Sequence, residues 1–269
     1  MVVERTVECR SLLGRSRIYG VDYSINPYVG CEHGCAYCFA RFMIRYAGAS
    51  EGWGQFVNVK VNAPHILERQ LRTARKGLVL LSSVTDPYQP IENKHHLTRR
   101  ILELLVAADF PVSILTKSSL VLRDIDLIRK LSRSEVGLTI TTLNEDIARY
   151  FEPKASPTKE RLETLKTLSS NGIETYAFIG PILPYITEEG LEELISRLAK
   201  TPVKRILVDK LNIKAGNWRT IKKTLSEHYP NLIPKFEEAL FKQSHYYERL
   251  KPDIRELCKR HGLTADFCY

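Results

Sequence analysis

Three cysteines crowd into one short stretch of this chain. In INPYVGCEHGCAYCFAR, residues 25–41, Cys31, Cys35 and Cys38 are spaced C-x3-C-x2-C. Thiolates are ligands for zinc and for iron–sulfur clusters. A structural zinc site closes with four ligands and reads as two CxxC-like pairs. Here there is one group and no second pair, and His33, two residues after Cys31, is poorly spaced to complete a tetrahedron. A cubane cluster held by three thiolates leaves one iron open, and an open coordination position marks catalysis rather than structure. Gly30 and Gly34 give the loop the backbone freedom to wrap such a cluster. A zinc- or iron–sulfur-binding module without catalysis is the alternative from another class. Cys9, Cys258 and Cys268 are scattered and read as ordinary thiols.

A loop of this kind needs a rigid scaffold. Apolar runs at 22–26, 77–84, 111–118, 135–142, 173–182 and 205–213 predict six strands. They are apolar throughout rather than alternating, as strands covered on both faces should be. Segment 56–63 alternates and predicts an additional strand. Helical patterns fill the gaps at 64–76, 93–108, 119–132, 156–172 and 187–200; in the second, Leu97, Ile101, Leu104, Leu105 and Ala108 share one stripe. This repeated βα order demands parallel strands with crossover connections. Six units over about 190 residues are too few for an eightfold barrel. A partial, open barrel and a doubly wound sheet both satisfy the pattern. Residues 1–213 read as the core, with 1–20 an N-terminal extension, and 214–269 as a polar, helical C-terminal extension packed on it.

With 269 residues, 43% hydrophobic and 26% charged, the chain can bury a core of its own. It has no run of 18 apolar residues and no apolar leader, so neither a membrane span nor a signal peptide is expected, and the expected location is cytoplasmic. Forty basic against 31 acidic residues give a net charge of +9, compatible with a nucleic-acid or nucleotide partner. The basic groups at Arg69, Arg72, Arg75 and Lys76, and at Arg99 and Arg100, read first as solvated helix faces. There is no P-loop, dinucleotide fingerprint or Ser/His/Asp set.

The C-x3-C-x2-C spacing, with the aromatic Tyr37 just before the last cysteine, resembles the radical S-adenosylmethionine (SAM) superfamily. The resemblance covers most of residues 20–213. It implies an α/β fold, a partial (β/α)6 TIM-like barrel. It also implies a [4Fe–4S] cluster on Cys31, Cys35 and Cys38, with the open iron chelating the amino and carboxylate groups of S-adenosyl-L-methionine. The implied chemistry is reductive cleavage to methionine and a 5′-deoxyadenosyl radical that abstracts hydrogen from a substrate, with ferredoxin or flavodoxin as electron donor. NPYVGCEHGCAYCFAR and LLSSVTDPYQPIE, with ILTKSSLVLRDIDLI, EPKASPTKERL and PILPYI, are similar to the spore photoproduct lyase-like branch, whose members are often labelled DNA repair photolyases.

Candidate site residues follow from strand ends and from that resemblance. Ser82, Ser83, Thr85 and Asp86 end the second predicted strand, on the face where parallel α/β folds bind ligands. They stand where radical enzymes carry the turn that binds the amino group of the cosubstrate, so Asp86 or a neighbouring oxygen is expected to accept from it. Lys117 ends the third strand and is expected to pair with the methionine carboxylate. Thr139 and Thr141 end the fourth, within reach of ribose or carboxylate. Arg161 binds a carboxylate or forms a structural ion pair with Glu152. Asp209, Lys210 and Asn212 end the last strand without an assigned role. The chain also departs from the lyase. That enzyme uses a cysteine as hydrogen-atom donor in the stretch matching SSVTDP, where Ser83 stands here, and a tyrosine after the last cluster cysteine, where Phe39 stands. A serine O–H is far harder to break homolytically than a thiol S–H. Tyr37 and Tyr88 are the remaining catalytic phenols, and the lyase reaction itself is not expected.

Overall fold

Short runs rich in Val, Ile and Leu pair side by side. The structure, a computed structural model, describes residues 2–242 and 245–269. In chain order its strands are β1 (Val3–Val7), β2 (Gly14–Arg15), β3 (Tyr23–Ile25), β4 (Tyr28–Val29), β5 (Phe56–Lys60), β6 (Val79–Leu81), β7 (Val112–Thr116), β8 (Ser134–Thr139), β9 (Glu174–Ile182), β10 (Arg205–Lys210) and β11 (Thr264–Phe267). Eight form one sheet in the order β11-β10-β9-β8-β7-β6-β3-β2. Every pairing is parallel except that of β2 on β3. The six expected strands are β3, β6, β7, β8, β9 and β10, in sequence order. The sheet is open, with β2 and β11 as its edges: a partial (β/α)6 TIM-like barrel with flanking strands.

The register explains which side chains meet a ligand. Successive residues of a strand point to opposite faces. Leu115 pairs with Gly137, Thr139 with Phe178, and Phe178 with Leu207. One row therefore runs through Leu115, Thr139, Phe178 and Asp209. The other row, with Ile114, Val136, Leu138, Ala177, Ile179, Ile206 and Val208, is 0% exposed and shares a core with the crossover helices. Those helices turn their stripes onto it: Leu97–Ala107 buries Ile101, Leu102 and Leu105 there, and Leu191–Ala199 buries Leu191, Leu194, Ile195 and Leu198. Each such Leu or Ile contributes about 1.5–3 kcal/mol on burial, which is why the apolar runs dominate the topology.

A small second sheet, β1-β5-β4, braces the segment leading into Cys31. The alternating 56–63 run becomes β5 of this sheet. Beyond residue 213, helices Asn217–His228, Ile233–Glu237 and Tyr246–Arg260 pack against the core, and β11 then extends the main sheet on β10. That strand departs from the all-helical expectation. Among the described residues, no helix is long and apolar enough to cross a membrane.

Candidate active site

The cysteine loop is shaped by its glycines and latched from several sides. Gly30 has φ +95°, and a β-carbon there would sit 2.5 Å from the Phe56 carbonyl oxygen, so only glycine lets the loop press onto β5. The Thr85 hydroxyl donates to the Gly30 carbonyl (2.6 Å), and Gln89 Nε2 donates to Thr85 Oγ1 (2.9 Å). Gln89 Oε1 accepts from the Glu32 N–H (2.8 Å), and the Glu32 carboxylate accepts from the Ile91 N–H. On the other flank, the Ala36 N–H donates to the Phe151 carbonyl (2.8 Å), and Asn217 Nδ2 to the Tyr37 carbonyl (3.0 Å).

All three cysteines line one cavity of about 200 Å³, at the carboxyl ends of the parallel strands. They are free thiols, Cys31 and Cys35 buried and Cys38 half-buried. Burial pushes the Cys35 thiol up to about 12, against the pull of Lys117 and with help from Glu152. Such a thiol stays neutral until a metal compensates its charge. Among the described residues, no three His, Cys, Asp or Glu side chains are drawn into a closed metal-binding set. The thiols share a cavity wall rather than a finished coordination shell.

The strand ends complete that wall. Ser82 adopts φ +69°, and its hydroxyl is buried with no partner. Asn26 Oδ1 accepts from the N–H groups of Ser83 (3.0 Å) and Val84 (3.1 Å), and Asn26 Nδ2 donates to Ser83 Oγ (3.2 Å). Ser82, Ser83, Thr85, Asp86, Lys117 and Thr139 all line the cavity, as does the Tyr37 ring. Lys117 is half-buried, with its ammonium 5.8 Å from the Tyr37 ring centre. Burial lowers its pKa, but Cys35, Glu152 and Asp86 outweigh that and hold it above the ordinary value.

Several expectations need correction. Asp86 has no oxygen to spare for a cosubstrate ammonium. Its Oδ1 accepts from the Thr116 hydroxyl (2.6 Å) and the Tyr88 N–H (2.9 Å), and its Oδ2 accepts from the Lys117 N–H (2.9 Å) and meets His33 Nδ1 at 3.3 Å. Four contacts use up a carboxylate's lone-pair directions. Asp86 ties the loop after β6 to the end of β7, and the open oxygen beside it belongs to Ser82. Thr85 is likewise committed, to the Gly30 latch. Arg161 is 1% exposed and points away from the cavity, its Nη1 on Glu152 Oε2 (2.5 Å) and the Thr139 carbonyl (2.9 Å). Of the two alternatives, it is the ion pair. Thr141 points at the same Glu152 (3.3 Å) and does not line the cavity. The Tyr37 hydroxyl donates to Glu152, which removes it as a ready hydrogen-atom source. Tyr88 is 0% exposed and lies outside the cavity, its ring beneath Arg123 and its hydroxyl turned to Asp124.

Sequence reasoning missed Asn26, Gln89 and Asn217, which hold the loops in place. Their partners lie up to 180 residues away, so no local pattern marks them. It also left open the far wall of the cavity, formed by Phe178, Gly180, Pro181, Asp209, Lys210 and Asn212. Phe39 lines the mouth and is 44% exposed.

Comparison with known proteins bears on the family and the fold. The Radical SAM superfamily pattern matches residues 25–198. An uncharacterized protein of Methanocaldococcus jannaschii is 39% identical over 224 residues, 83% of each chain. A radical SAM Nalpha-GlyT isomerase of Pseudomonas phage M6 is 27% identical over 186 residues, 68% of this chain and 38% of that one. Spore photoproduct lyase complexed with dinucleoside spore photoproduct superposes with TM-score 0.75 over 99% of this chain and 82% of that one. At 17% identity this last likeness is one of fold. The superfamily uses a [4Fe–4S] cluster and S-adenosylmethionine. With the match spanning most of the barrel and the cysteine loop at its mouth, the chain belongs to the radical SAM superfamily of enzymes.

Proposed function

We propose that Cys31, Cys35 and Cys38 hold the [4Fe–4S] cluster, and that the adjoining cavity takes S-adenosylmethionine together with a nucleotide of a nucleic acid. One observation carries this reading: three free thiols share a cavity with an unpartnered buried hydroxyl, Ser82, and a half-buried ammonium, Lys117. The donor set fits. Three soft thiolates suit iron–sulfur ligation and leave one position open. The Trp53 indole N–H, buried beside Cys31 and facing the Cys38 sulfur, is placed to donate to cluster sulfur. When bound, the cluster supplies the electron that cleaves the sulfonium to give a 5′-deoxyadenosyl radical. Lys117 pairs with the methionine carboxylate, its backbone N–H pinned by Asp86. Ser82, with Ser83 and Thr139 beside it, hydrogen-bonds the cosubstrate's polar groups. A ferredoxin or flavodoxin in the reducing cytoplasm is the electron source.

The nucleic-acid part rests on the +9 charge and on the cavity lip. Segment 39–47 presents Phe39 and Tyr46, 44% and 68% exposed, with Arg45 5.4 Å above the Tyr46 ring. Exposed rings beside cations are the surfaces on which unpaired bases stack. The solved lyase with the same fold binds a dinucleoside. Its reaction is not proposed here, because Ser83, bound by Asn26, and Phe39 replace the lyase's hydrogen donor and phenol.

The test is anaerobic reconstitution with iron and sulfide, then dithionite and S-adenosylmethionine. Brown absorbance and 5′-deoxyadenosine are expected, both lost on changing Cys31, Cys35 or Cys38 to Ala. One equivalent of zinc, with no deoxyadenosine, would overturn the assignment. Binding of single-stranded DNA should weaken roughly 20-fold between 50 and 200 mM salt if three phosphates are engaged. No binding at the lower salt would remove the nucleic-acid part.

A further inference from the structure

The wall opposite the cysteines carries none of the groups proposed above to hold the cosubstrate, yet it is not blank. Asp209 lies in the same strand-face row as Leu115, Thr139 and Phe178, which aims its carboxylate into the cavity. The ladder between β9 and β10 shifts there: Val208 pairs with Ile179 and Lys210 with Ile182, so Asp209 stands alone opposite Gly180 and Pro181. Bulges next to active sites re-aim side chains in this way. Asp209 Oδ1 accepts from the neighbouring Lys210 N–H (2.9 Å). No side chain among the described residues hydrogen-bonds or ion-pairs with it. Burial pushes its carboxyl up to about 6, against the Lys210 N–H and the Lys210 charge. A half-buried carboxylate facing a cavity with an unused oxygen is an acceptor awaiting a donor.

We propose that Asp209 is the specificity-determining residue of this enzyme, accepting a hydrogen bond from an N–H on the edge of the substrate nucleobase while Phe178 lies against the base. This rests on the nucleic-acid reading above. Lys210 acts on Asp209 through its charge alone: no ion pair joins the two among the described residues, and the ammonium lies 5.5 Å from the Tyr269 ring centre. A carboxylate can only accept, so it selects for bases presenting N–H at that point.

The test uses four single-stranded decamers, one per base, as probes with the reconstituted enzyme, dithionite and S-adenosylmethionine. The readout is 5′-deoxyadenosine formed above the DNA-free rate. In wild type one decamer should stimulate most. Asp209→Asn should cut that stimulation roughly 5- to 100-fold and change the order of the four, because an amide donates as well as accepts. Stimulation in wild type should also rise across pH 6, a rise that Asp209→Asn abolishes. The other titratable groups against Asp209 are Lys210, Cys268, Tyr247 and Tyr269, and burial raises the thiol to about 11 and both phenols above their usual range. Equal stimulation and the same base order in Asp209→Asn would overturn the proposal and leave the nucleic-acid reading intact. No stimulation of wild type by any decamer would overturn that reading and the proposal with it.

Discussion

Asp86 and Asp209 are the same residue type at the carboxyl ends of two strands, facing one cavity, and they live in opposite conditions. Asp86 is 7% exposed with both oxygens doubly engaged. Burial would raise its carboxyl, but His33, Thr116 and Lys117 hold it well below the usual range. Asp209 has one backbone donor and is raised to about 6. Apart from the thiols and the open Ser82 hydroxyl, the cysteine-side wall satisfies its own polar groups, so it positions. The far wall is left incomplete, so it can recognise.

The largest expected effect lies behind the finished wall. Glu152→Ala would strand the Arg161 guanidinium, which is 1% exposed, with only the Ser156 and Thr139 carbonyls as partners. Breaking such a buried pair costs about 3–5 kcal/mol, whereas replacing both members by apolar residues is often nearly neutral. Urea denaturation should therefore show a large loss in Glu152→Ala and recovery of more than half of it in Glu152→Ala/Arg161→Met. A loss below about 1 kcal/mol in the single variant would mean that the wall is not built on this pair.

A smaller effect is expected at Asp86. Asp86→Asn loses the charge and puts a donor where the Lys117 N–H needs an acceptor, at a cost of about 2–3 kcal/mol at pH 7. The sign with pH is fixed by the depressed folded-state pKa. The stabilisation is fully present above about pH 4, the unfolded value, and is lost as pH falls further. The two proteins should therefore converge in stability in acid. A gap that stays constant from pH 7 to pH 3 would show that the carboxylate's charge is not what holds the loop.

What was legible in the sequence divides along the same line. Cys31, Cys35 and Cys38 announce themselves by spacing, and the six core strands by apolar runs, because both signals are local. The strand β11 is four residues long with an exposed–intermediate alternation, too short and too polar to stand out from a helical tail. Asp86 is visible as a polar strand-end residue, with Asp86 or a neighbouring oxygen as the expected acceptor, but the contacts that occupy its carboxylate are not visible. Its partners His33 and Thr116 lie 53 and 30 residues away, and only the folded register brings them to it. Tyr88 failed for the same reason: nearness in sequence to Asp86 says nothing of which side of the loop it packs on. Glu152 and Arg161 were paired as one alternative because they sit nine residues apart on adjoining elements.

The far wall should respond with the opposite sign. Asp209 has a folded-state pKa above its unfolded one, so folding favours its protonated form. Below about pH 4 it is neutral in both states and costs nothing. As pH rises through 6 the folded protein must carry a partly desolvated charge, and stability is lost. The span from 3.8 to about 6 corresponds to about 3 kcal/mol at full burial, and solvent at this half-buried carboxyl reduces that to about 1–2 kcal/mol. Asp209→Asn removes the charge and keeps the shape. It should match wild type at pH 4 and exceed it by about 1–2 kcal/mol at pH 8, measured by urea denaturation at the two pH values. A residue whose removal stabilises the fold is one retained for what it binds. If Asp209→Asn is instead destabilising at pH 8, Asp209 has a structural partner in the folded protein, and the contrast between the two walls does not hold.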